Sequence, residues 1–66
     1  MVRIKLKELL ERNETTRYQL SKNTKLQRGY VDDLYFGRAK RITFEQIEIL
    51  CKYFDITPSE LFDYTK

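Results

Sequence analysis

Two stretches gather the side chains able to recognise a partner by hydrogen bonding. One is Gln27-Arg28-Gly29, followed a turn later by Asp32-Asp33; the other is the basic run Gly37-Arg38-Ala39-Lys40-Arg41. A guanidinium offers a fork of donors that fits O6 and N7 of guanine, and a carboxamide fits N6 and N7 of adenine. Asp33 is of a type that accepts from N4 of cytosine, while Asp32 stands i,i+4 to Arg28 as a partner on the same helix. Clustered cations suit phosphate. Catalytic chemistry has little to draw on. The chain has no histidine, and no paired carboxylates stand in a recognisable pocket pattern. Its lone Cys51 cannot form an internal disulfide, and the usual zinc spacings are absent, so no metal or cofactor is expected.

Length and charge narrow the class. Sixty-six residues allow one domain, residues 1–66, with a small core. A hydrophobic fraction of 41% argues against disorder despite 35% charged residues. No apolar run approaches the roughly 18 to 20 residues of a membrane span. The alternating start Val2-Arg3-Ile4-Lys5-Leu6 is not a secretory signal, so a cytoplasmic, membrane-free protein is expected. The net charge of +3 is unevenly spread: residues 1–41 carry eleven Lys/Arg against five acids, and residues 42–66 two against five. A basic half beside an acidic half fits a surface that meets a polyanion on one side.

The elements that position these residues can be read from helix-start signals. Thr16…Gln19, Thr43…Gln46 and Thr57…Glu60 each place a capping threonine three residues before a Gln or Glu, and Pro58 strengthens the third. After an extended start, a first helix begins near Leu6 with Leu9 and Leu10 inward and Glu8 placed to pair with Arg12. A second helix spans about 17–23 around Leu20, and a third about 27–35 with Val31, Leu34 and Tyr35 on one side, closed by Gly37. A fourth covers about 44–54, where Phe44, Ile47, Leu50, Cys51 and Phe54 form an apolar stripe. A fifth covers about 58–63, with Leu61 and Phe62 inward. The expected fold class is all-α, a five-helix orthogonal bundle.

Residues 16 to 35 thus describe a capped helix, a short joint and a second helix whose apolar anchors leave one face free, the pattern of a helix-turn-helix. With Thr16, Leu20-Ser21, Leu26, Val31…Leu34-Tyr35, Gly37, Ile42-Thr43-Phe44 and Thr57-Pro58-Ser59-Glu60-Leu61-Phe62 in this order, the chain resembles the Cro/phage-repressor helix-turn-helix family, also called the xenobiotic response element family. The likeness runs from about Lys5 to Tyr64. It implies a lambda-repressor-like DNA-binding domain whose third helix enters the major groove. By this resemblance Arg17 falls at the backbone-phosphate position where the family usually has glutamine. Gln27, Arg28 and Gly29 fall at the base-reading tip, with Asp32 and Asp33 one turn on. Arg38, Lys40 and Arg41 fall in the loop that holds flanking phosphates. Tyr30 is counted with the phosphate contacts. Two departures stand out. Lys25 occupies a turn position where the family prefers glycine, and Gly29 lies inside the recognition helix at a cost of roughly 1 kcal/mol relative to alanine.

The function expected is a transcriptional regulator of bacterial or phage origin. It would bind double-stranded DNA sequence-specifically as a homodimer on a palindromic operator, and it would not be an enzyme. Ile49 and Tyr53, with Ile56 and Pro58, are the expected dimer patch. The rival is the same fold used as a protein-interaction module, inhibitor or antitoxin-like, with the acidic pair facing a basic protein.

Overall fold

The computed structural model describes residues 2–65, ordered as β1 (Val2–Ile4), α1 (Leu6–Arg12), α2 (Arg17–Thr24), α3 (Arg28–Phe36), α4 (Phe44–Phe54), α5 (Pro58–Leu61) and β2 (Phe62–Tyr64). Leucines dominate the core because each helix has one narrow apolar side. Leu6, Leu9, Leu10, Leu20, Val31, Leu34, Leu50, Phe54 and Leu61 are all buried. Each such side chain contributes roughly 1.5–3 kcal/mol by leaving water, so helices this short hold only by packing together.

The threonine signals start helices as expected, each with its own bonding. At α4 both halves of the box form: Gln46 N–H donates to Thr43 Oγ1 at 3.1 Å, and Thr43 N–H to Gln46 Oε1 at 3.0 Å. At α2, Gln19 N–H donates to Thr16 Oγ1, but the Gln19 side chain accepts from Thr15 Oγ1. At α5, Glu60 Oε1 accepts from Thr57 N–H. That ionic acceptor holds the Glu60 carboxyl below the ordinary range.

Four expectations give way. The fold is mostly helical but not all-α, because β1 and β2 pair antiparallel with Val2 opposite Tyr64, Arg3 opposite Asp63 and Ile4 opposite Phe62. The last helix stops at Leu61 instead of running to 63: Phe62 turns to extended backbone, and Lys5 N–H donates to Leu61 O at 2.9 Å, which draws the two ends of the chain together. Residues 62–64 alternate apolar, acidic, apolar, the complement of Val2-Arg3-Ile4, and Arg3 bridges to Asp63 at 3.2 Å. Arg3 also takes Glu8 at 2.9 Å, so Glu8 turns away from Arg12; this bond lowers the Glu8 carboxyl's pKa.

Phe44 is the fourth correction. It is 90% exposed, since it occupies the first position of α4, before that helix reaches the core. Further along the stripe, Leu50 and Phe54 are buried, and Ile47 and Cys51 pack half-buried against the core. Burial, then the Glu60 charge, pushes the Cys51 thiol up. Among the described residues, no helix is long and apolar enough to cross a membrane, and no cluster of side chains is suited to a metal.

Candidate nucleic-acid interface

The joint between α2 and α3 is tied by its own polar groups. Lys25 adopts φ 63°, the left-handed region, and its N–H donates to Ser21 O at 3.0 Å. Ser21 Oγ reaches across the turn to Leu26 O at 2.7 Å. Leu20 below and Val31 and Leu34 above then lock α2 onto α3. Gln27 caps α3 in extended conformation, and Gln27, Arg28 and Gly29 are exposed together at its start. A Cβ added at Gly29 would meet no atom within 4 Å, so internal packing does not demand the glycine.

Asp32 and Asp33, a turn further, are both occupied. Asp32 Oδ1 accepts from Arg17 Nη1 at 3.1 Å and from Arg28 Nε at 3.4 Å. Arg17 lies with its guanidinium 4.6 Å from the Tyr35 ring centre and 4.9 Å from that of Phe36, so two aromatic faces and a carboxylate fix it. Arg28 also stands 6.0 Å from the ring of Tyr18. Asp33 Oδ1 accepts from Arg38 Nε at 3.0 Å, while the Asp33 carbonyl accepts from Arg38 and Ala39 N–H. The loop thereby folds back on the end of α3 through Gly37, whose φ of 74° suits glycine.

Lys40 and Arg41 differ from these arginines. Both are exposed, and neither side chain pairs with an acid among the described residues. Tyr30 is placed beneath them. Its hydroxyl lies 2.8 Å from Gln46 Oε1 and 3.1 Å from Arg41 O, directed into the protein, and burial raises the phenol's pKa. α3 thus carries an exposed start, is tied to the aromatic-backed Arg17 through Asp32, and reaches the loop of two unpaired cations through Tyr30. The sequence profile of the Cro/C1-type HTH DNA-binding domain matches residues 5–66.

The chain belongs to this Cro/C1-type family of DNA-binding domains. No curated protein and no solved structure matches the chain. Domains of this helix-turn-helix family are typically not enzymes. A cleft of about 460 Å³ runs between β1, Phe36 and the basic loop; among the described residues the one acid lining it is Asp33, already held by Arg38.

Of the residues expected to dimerise, Ile49, Tyr53 and Ile56 are half-buried and Pro58 is exposed. Tyr53 accepts from Asn23 Nδ2 at 3.1 Å, and its ring packs with Ile56 against the core. Sequence reasoning missed two links of α3. The Arg17–Asp32 pair spans fifteen positions and has no local signal. Asp33 and Arg38 stand on either side of Gly37, so a helix ending there with a returning loop was the available sign.

Proposed function

We propose that the chain is a sequence-specific regulator of transcription that reads double-stranded DNA through α3 in the major groove. One observation carries this reading: the exposed start of α3, with Gln27, Arg28 and Gly29, is followed at once by Tyr30, whose hydroxyl lies 3.1 Å from the Arg41 carbonyl in the loop of unpaired cations, on a helix braced by α2. Gln27 and Arg28 contact base edges, Gly29 permits close approach, and Asp33 keeps its second oxygen for a cytosine amino group. Lys40 and Arg41 take phosphates, as do the outer edges of Arg17 and Arg38. Tyr30 serves the phosphate contact from beside the Arg41 backbone, its hydroxyl shared between Arg41 O and the nearer Gln46 Oε1.

The domain acts as a homodimer on a palindromic operator, through the side bearing Ile49, Tyr53, Ile56 and Pro58, in the cytoplasm of a bacterium or as a phage product. The interaction-module reading loses support, because Asp32 and Asp33 are each paired with arginines of this chain. Selection of binding sites from random duplex DNA at moderate salt tests the proposal. The expected outcome is a palindrome with half-sites about one helical turn, ~34 Å, apart. Failure to enrich any sequence overturns it.

A further inference from the structure

We propose that Asp32 is a positioning residue that determines specificity: it aims Arg28 at guanine, and Arg17 neutralises it so that a carboxylate can stand at a polyanion surface. The inference rests on the DNA-reading function above and adds a residue to it.

The geometry of the three side chains leads there. A free arginine on a helix start samples many rotamers, and ordering it costs conformational entropy. Arg28 is held on two sides, by the Asp32 carboxylate at its Nε and by the Tyr18 ring. Its two Nη groups have no partner among the described residues. They form the outward fork that O6 and N7 of guanine can accept from end-on. Binding through Nε instead would compete with Asp32, so the carboxylate selects one docking mode of the fork.

An acid at this place would by itself repel phosphate. Asp32 Oδ1, however, takes two arginines, and the cluster Arg17–Asp32–Arg28 carries a net positive charge. Arg17 is suited to the balancing role. Its side chain is only 31% exposed, its Nη1 is committed to Asp32, and its plane lies against Tyr35 and Phe36. It therefore stays in place whether or not DNA is bound, and ties the start of α2 to the middle of α3. Asp32 is thus shared between a fixed arginine and a reading one.

The test compares guanine with adenine at the position that Arg28 reads, using the full chain and duplexes derived from the selected site. Asp32→Ala should lower the guanine preference about tenfold, within the range of one bidentate contact. Binding to random duplex should be retained or strengthened at low salt, because a negative charge has gone. Asp32→Asn, which keeps an acceptor in the same shape, should restore part of the preference. In an Arg28→Ala background, Asp32→Ala should have no further effect on the guanine preference. In the free protein, the Arg28 Nε–H resonance should exchange with water more slowly in the unaltered chain than in Asp32→Asn. An unchanged guanine preference in both Asp32 variants, or an equal loss with and without Arg28, overturns the inference while leaving DNA reading intact. If the unaltered chain binds no duplex selectively, the DNA-reading function itself fails and this inference with it.

Discussion

Gln46 Oε1 lies 2.8 Å from the Tyr30 hydroxyl and 3.0 Å from Thr43 N–H, so one amide oxygen closes the cap of α4 and meets α3 at Tyr30. The same hydroxyl stands 3.1 Å from Arg41 O. Helix, cap and basic loop meet at a single phenol, whose one proton goes to either oxygen at a time, the Gln46 oxygen being the nearer. Tyr30→Phe should therefore cost about 1 kcal/mol of stability, the usual net worth of a hydrogen bond. Urea unfolding measures it; an unchanged midpoint would show that solvent replaces the phenol without loss.

Lys25 gives a second prediction, of opposite sign. A lysine at φ 63° holds a conformation that glycine adopts without steric cost. The N–H bond to Ser21 O is a backbone bond that glycine retains. Lys25→Gly should raise stability by up to about 1 kcal/mol, since relief of strain exceeds the extra chain entropy of glycine. Thermal melts of the two chains decide the sign.

Lys40 and Arg41 should dominate the salt dependence. If each neutralises one phosphate, replacing either with alanine should lower the slope of log affinity against log salt by about one. The loss should be similar for every DNA sequence. A loss restricted to one base position would mean that the replaced cation reads bases.

Glu60 sets an acid limb. Its native pKa lies below the ordinary 4.5 because the ionised carboxylate accepts from Thr57 N–H. The stabilisation is then fully present above the unfolded value and is lost as pH falls through the depressed native value. Glu60→Gln keeps an acceptor without the charge, so its stability should fall less steeply below pH 4.5. Parallel acid titrations followed by circular dichroism would reveal the difference.

Much of the framework was legible because helix signals are local. Thr16, Thr43 and Thr57 mark starts, Gly37 marks an end, and the apolar spacing around Leu20, Val31 and Leu34 orders the two central helices. The sequence places Phe62 inward on a helix of about 58–63, whereas the strand partner that claims it, Ile4, lies almost sixty residues away. Phe44 fits the helical stripe by spacing, but periodicity cannot say where along a helix the core begins. The candidate site was legible by residue type and not by pairing. Arg17, Arg28 and Arg38 were visible as cations, whereas the carboxylates that hold Arg17 and Arg38 come from folding.

Titration of the ¹⁵N-labelled chain with a duplex carrying the selected site, followed by amide shifts, tests the central claim most directly. The account predicts that the largest perturbations fall on residues 27–33 and 37–41, with smaller ones at Arg17 and its neighbours. Perturbations centred on α4 and α5 with residues 27–33 unmoved, or no perturbation at saturating duplex, would contradict it.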